Sequence, residues 1–132
     1  MDRYLLDSDA VIDYLKGIAS SVDLINDIHR RGGILCVCDI VIAEVYTGVR
    51  PQDQERTARI LQSYHFLPTL EEMARQAGEW RYTYARRGLT ISTTDAIIAA
   101  TAYGHLATVI TGNTRDYPMP EVKLLQLPRA TR

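Results

Sequence analysis

Three aspartates crowd the stretch YLLDSDAVIDYLKG, at positions 7, 9 and 13, and the first cation after them is Lys16. Carboxylates this close repel one another, so each needs a structural partner or a shared ligand. Asp7 ends a short apolar run, RYLLD, where a strand would stop and its side chain would project from the sheet edge. Asp9 stands where an N-cap is expected for the helix AVIDYLKG. Asp13 follows one turn later as an outer or surface residue.

Other acids stand alone in apolar surroundings. Glu44 is the only charged residue between Ile40 and Gly48, and a buried carboxylate there needs hydrogen bonds, a cation or a raised pKa. Asp95 is the only Asp, Glu, Lys or Arg between positions 88 and 114, at the head of TTDAIIAATAYGH. It could itself cap that helix, but Thr93 and Thr94 could already do so, which would leave the acid available for other work. Asp116 lies in GNTRDY after the apolar run LATVIT, a setting that turn chemistry also favours. Asn113 shares that loop, while Ser8 and Thr111 lie beside strand ends and could bond to neighbouring carboxylates.

The elements that must position these acids alternate. RYLLD, ILCVC, HFLPT, LATVIT and VKLLQL read as strands. Between them lie helical patterns: AVIDYLKG, SSVDLINDIHRRGG, DIVIAEVYTGV capped by Asp39, PQDQERTARILQSY with Pro51 in its first turn, LEEMARQAGEWRYTYARRG, and TTDAIIAATAYGH. This order predicts an α/β fold with a mostly parallel sheet, whose ligands bind beyond the carboxyl ends of the strands. Asp7, Glu44, Asp95 and Asp116 then fall at comparable edges of successive units. Four gathered carboxylates are costly alone and favourable around a divalent ion. With no His or Cys among them, the oxygen donors suit Mg²⁺ or Mn²⁺, and the chemistry such an ion supports is phosphodiester hydrolysis.

Composition narrows the partners. The 132 residues, 46% hydrophobic and 23% charged, are those of one ordinary globular domain spanning 1–132. No apolar run approaches the length that spans a bilayer, and MDRYLLDSD lacks the apolar length of a leader, so a cytoplasmic protein is expected. Cys36 and Cys38, alternating within a strand, are expected to be small core residues. The net charge of −1 is no nucleic-acid signature, yet the cations are nearly all arginine, and outside the four acids the chain is mildly basic. In EWRYTYARRG, Trp80, Tyr82 and Tyr84 alternate with Arg81, Arg86 and Arg87, and at helical spacing the aromatics are expected in the core or at a dimer contact.

With YLLDSDAVIDYL, DIVIAEVYTGV, TTDAIIAATAYGH and VITGNTRDY in view, the chain resembles the PIN domain family, in particular the VapC-type toxins of toxin–antitoxin pairs. The ordered set, spanning nearly the whole chain, carries the resemblance. It implies a three-layer α/β/α sandwich around a parallel sheet of about five strands, and a metal-dependent endoribonuclease. It implies Asp7, Glu44, Asp95 and Asp116 as the catalytic and metal-binding acids, with Ser8 supporting them. It also implies Mg²⁺ or Mn²⁺ as cofactor, RNA as substrate, cuts leaving 5′-phosphate and 3′-hydroxyl ends, a homodimer, and a VapB-type antitoxin blocking the active-site groove. Two positions depart from the family pattern. Asp9 stands where Asn is usual, and Gly112 where an arginine often follows the threonine.

Two rivals remain. LLDSDAV also resembles the opening of haloacid-dehalogenase-type phosphatases, with Asp7 as nucleophile and Asp9 as acid–base, but only Lys16 and Lys123 are available as the required lysine. A PIN fold that binds RNA or a partner without cutting would not need the full set of acids.

Overall fold

The structure is a computed structural model and describes residues 1–128. Its centre is a five-stranded parallel sheet: β1 (Arg3–Leu6), β2 (Ile34–Cys38), β3 (His65–Leu67), β4 (Ala107–Thr111) and β5 (Leu124–Gln126). Strand order is β3-β2-β1-β4-β5, so the chain first builds outward to one side of β1 and then crosses to the other. The point of reversal lies between β1 and β4, paired in register from Arg3 with Ala107 to Leu6 with Ile110.

Six helices connect the strands: α1 (Ser8–Leu15), α2 (Ala19–Arg30), α3 (Asp39–Thr47), α4 (Gln54–Gln62), α5 (Glu71–Arg86) and α6 (Thr93–Gly104). Right-handed crossovers place helices of connections running in opposite directions on opposite faces of the sheet. The packing agrees, because α1 rests against α2 and α3, while α5 and α6 pack on each other and α6 on β4. The result is the expected α/β/α sandwich. Among the described residues no helix is long and apolar enough to cross a membrane.

The core forms where central strands are covered on both sides. Leu5, Leu6, Cys36, Val37, Cys38, Val109 and Ile110 are buried, and an Ala-rich face of α6 lets that helix lie close. Each fully buried Leu or Ile contributes about 1.5–3 kcal/mol relative to exposure. Both cysteines are free and buried, as expected, and burial pushes the Cys38 thiol up to about 11.

Helix ends follow local chemistry, with two corrections. α1 is capped by Asp7, whose carboxylate accepts from the Ala10 amide at 3.0 Å, so Asp9 lies inside the first turn and is not the cap. Backbone pairing decides this: the Asp7 amide still donates to Ile110 of β4 at 3.1 Å, which holds Asp7 extended until the helix starts. Asp39 is likewise not a cap. It is the first residue of α3, and its carboxylate accepts from the Thr69 hydroxyl at 2.6 Å. The residues from Pro51 to Asp53 form a 3₁₀ turn that leads into α4. At the other end of α1, Gly17 takes φ +71°, and the amides of Gly17 and Ile18 close back onto Tyr14 and Asp13 carbonyls at 3.1 and 3.0 Å.

Candidate active site

Asp7 sits at the carboxyl end of β1, beside β4, at the point where strand order reverses. It is 6% exposed. Besides capping α1, it accepts a hydrogen bond from the Tyr117 hydroxyl at 3.3 Å and another from Thr111. Burial pushes its pKa up to about 6, with the negative charge of Asp9 adding to the rise and the three hydrogen bonds opposing it. A carboxylate in this position is held in place but poorly stabilised as an anion.

The other acids arrive from different elements. Glu44 projects from α3, half-buried, and its carboxylate accepts a hydrogen bond from the Ser8 hydroxyl. Asp95 lies in the first turn of α6. The cap of that helix is Ser92, whose hydroxyl accepts from the Asp95 amide at 3.0 Å, so neither Thr93, Thr94 nor Asp95 itself does that work. Burial raises the Asp95 pKa, a hydrogen bond from Ser92 opposes this, and the charges of Asp116, Glu44 and Asp9 raise it further. Asp116 is exposed, in a 3₁₀ turn after β4, where the Asn113 side-chain amide donates to it at 3.2 Å.

The fold therefore brings the four predicted acids, with Asp9 on their border, into one negative basin. Asp13 serves the fold instead, accepting from the buried Ser21 hydroxyl at 2.9 Å and so tying α1 to α2. Ion pairs among the described residues lie elsewhere, and none joins a lysine or arginine to Asp7, Glu44, Asp95 or Asp116. An all-oxygen donor set with mutual repulsion and no ion pair to a basic side chain among the described residues fits a hard divalent cation. Among the described residues no three His, Cys, Asp or Glu side chains are already close enough to hold a metal ion. The structure thus shows a shared electrostatic basin, not a formed coordination sphere.

Tyr117 is the residue that sequence reasoning misses. It is buried, bonded to Asp7, and its own ionisation is suppressed first by burial and then by the charges of Asp7, Asp95 and Asp116. A lone aromatic after a turn carries no such signal. The contact depends on the loop after β4 folding back onto β1.

The lysine that a phosphatase would need is not here. Lys16 follows the last turn of α1 and lines a groove that reaches Glu44, Lys123 precedes β5, and neither forms an ion pair with Asp7 among the described residues.

Comparison with known proteins gives one consistent answer. A PIN domain match covers residues 4–122. The chain is similar to Ribonuclease VapC10 of Mycobacterium tuberculosis, 32% identical over 117 residues that cover 89% of this chain and 87% of the relative. It is 28% identical to Ribonuclease VapC19 of the same organism, over 87% of this chain and 92% of that one. Among solved structures, VapBC2 from Rickettsia felis, bound to a promoter DNA fragment, superposes with a TM-score of 0.81 at 21% identity, covering 94% of this chain and 98% of that one. With nearly its whole length matched and the family's fold in place, this chain belongs to the PIN domain family.

Proposed function

We propose that the chain is an endoribonuclease, hydrolysing RNA phosphodiesters with Mg²⁺ or Mn²⁺ held by Asp7, Glu44, Asp95 and Asp116. One observation carries the reading: acids from separate elements crowd Asp95, whose pKa is raised by burial and by the charges of Asp116, Glu44 and Asp9, and no ion pair among the described residues engages Asp7, Glu44, Asp95 or Asp116. The names of the relatives, both ribonucleases, support it from outside the geometry.

Bound there, the divalent ion would supply charge neutralisation at a phosphate and a water acidic enough to attack phosphorus. The chain supplies the rest. Tyr117 and Thr111 orient the Asp7 carboxylate, and Ser8 orients Glu44. Ser92 fixes the start of α6 and so the placement of Asp95. Asp7 and Asp95, whose ionised forms the fold favours least, are the acids a cation stabilises most. Hydrolysis adds water to phosphorus, breaks the bond to the 3′ oxygen, and returns a proton to that oxygen, leaving 5′-phosphate and 3′-hydroxyl ends.

The same reading makes the chain a cytoplasmic toxin, working as a homodimer and held in check by a VapB-type antitoxin. Solved structures that share the fold include toxin–antitoxin complexes. A groove of about 590 Å³ between α1, α3 and α4 runs up to Glu44, and it mixes apolar Ile12, Leu15 and Val49 with Lys16, Arg50 and Arg56. A partner segment seated there would end beside the acids.

The test is cleavage of pooled cellular RNA by purified protein with Mg²⁺, with Mn²⁺ and with chelator, beside Asp7→Asn purified identically. Discrete metal-dependent cuts with 5′-phosphate ends, absent from the variant, are expected. Equal cleavage by both proteins in every condition would overturn the assignment.

A further inference from the structure

Between β3 and α5, Thr69 reaches two other elements at once. Its hydroxyl donates to the Asp39 carboxylate at 2.6 Å, and its amide donates to the other oxygen of that carboxylate at 3.4 Å. The same hydroxyl lies 2.8 Å from the Thr101 hydroxyl. A threonine hydroxyl carries one proton. Thr69 gives its proton to Asp39, so Thr101 is the donor in the second bond. His105, the residue after α6, donates through Nε2 to the Pro68 carbonyl at 2.8 Å and fastens the same connection to α6 a second time.

Asp39 opens α3, and Thr101 is buried in the second half of α6, so Thr69 ties one helix to the other where they pack. The two helices also approach at Glu44 and Asp95, near enough for the Glu44 charge to act on Asp95. Glu44 follows Asp39 by five residues, whereas Asp95 precedes Thr101 by six. The two meeting points come in opposite order along the chain, so the helices lie side by side and antiparallel. At 1.5 Å of rise per residue the points are about 7.5 Å apart on α3 and about 9 Å apart on α6, similar spans on both helices. One end of the pair is fastened by hydrogen bonds. The other carries two acids of like charge that push it open.

We propose that Thr69 is a positioning residue for the metal site, its hydroxyl stapling α3 to α6 and so setting the distance between Glu44 and Asp95. The proposal rests on the metal-dependent reading of the basin and adds what holds two of its acids against their repulsion. Thr69 bonds to neither acid. It acts through the helices that carry them. Without the staple, repulsion is opposed by packing alone, and a cation must gather acids that stand farther apart. Its affinity falls for that reason.

The experiment follows denaturant unfolding of the full chain across a Mn²⁺ series and reads the Mn²⁺ concentration that gives half of the metal-dependent stabilisation. Thr69→Val keeps the branched shape, removes the hydroxyl, and is expected to raise that concentration about tenfold. Thr69→Ser retains the hydroxyl and should stay within about twofold of wild type. Thr101→Val spares the bond between Thr69 and Asp39. It should move the concentration the same way by about threefold, and it carries the test if Thr69→Val does not fold. Valine variants that are less stable without metal, yet reach half effect at the wild-type Mn²⁺ concentration, would overturn the proposal: the staple would hold the fold and not the acids. Thr69→Ser as impaired as Thr69→Val would overturn it too. A wild type that Mn²⁺ neither stabilises nor activates for RNA cleavage would sink the metal-dependent reading, and the role of Thr69 with it.

Discussion

On the outer turns of α2, α4 and α5, acids stand three or four residues from an arginine that neutralises them: Asp27 with Arg30 and Arg31, Glu55 with Arg59, Glu71 with Arg75. At the carboxyl edge of the sheet, Asp7, Glu44, Asp95 and Asp116 come from four different elements and have no such partner among the described residues. The chain does not lack arginine. It pairs arginine with acids where only solvated surface is at stake, and among the described residues it forms no such pair with the four acids of the basin, although Arg115 directly precedes Asp116. Local pairing costs little and gains little, whereas acids gathered around the buried Asp7 without an ion pair among the described residues reduce stability until something positive binds.

Asp7 offers the largest test of this contrast. Burial raises its pKa from 3.8 to about 6, so the folded state holds its proton more tightly than the unfolded chain. The stability this confers is fully present below pH 3.8 and is lost as pH rises through about 6. In metal-free protein, Asp7→Asn lacks this loss. Relative to wild type, it should gain on the order of 2–3 kcal/mol in unfolding free energy between pH 4 and 7. Mg²⁺ should stabilise wild type and leave the variant little changed. Denaturant unfolding at several pH values, with and without Mg²⁺, reads both effects. A pH-independent difference would mean that Asp7 is compensated after all.

Much of this contrast is legible in the sequence, and the reasons differ by residue. Strand and helix order follows from apolar runs that switch period, and every predicted strand is present. Glu44 and Asp95 stand out because each is alone in an apolar run. The capping residues are harder to read. Asp7 and Asp9 both precede the same helix, and only the amide of Asp7, still bonded to β4, decides which of them caps it. Ser92 is hidden by the two threonines that follow it. Tyr117 meets Asp7 across 110 positions, a contact no local pattern encodes. Arg75 and Arg86 are alike in sequence; only geometry shows that one is paired and the other open.

Within the basin, the residues that orient acids rank next. Ser8→Ala removes the hydroxyl that bonds Glu44 while preserving helix α1, so cleavage should fall about tenfold through weaker metal affinity. A titration of activity against Mn²⁺ separates that cause from misfolding, since saturating metal should restore much of the rate. Tyr117→Phe keeps the buried ring and removes one long bond to Asp7, costing about threefold to fivefold. Because that bond lowers the Asp7 pKa, losing it should also move the acid limb of the pH–rate profile to higher pH. A limb that stays in place would break the link between Tyr117 and Asp7.

The smallest effect belongs to the paired surface. Glu55 and Arg59 are 3.0 Å apart, yet both side chains are mostly exposed, so water already solvates each charge and salt screens their attraction. Glu55→Ala should change unfolding free energy by less than about 0.5 kcal/mol and leave RNA cleavage and its metal dependence at wild-type values. Denaturant unfolding at low and high salt checks it, because even that small difference should shrink as salt rises. A loss comparable to that from Ser8→Ala would mean that outer acids and basin acids are not distinct settings. The lack of ion pairs to the basin acids among the described residues would then say nothing about where a metal binds.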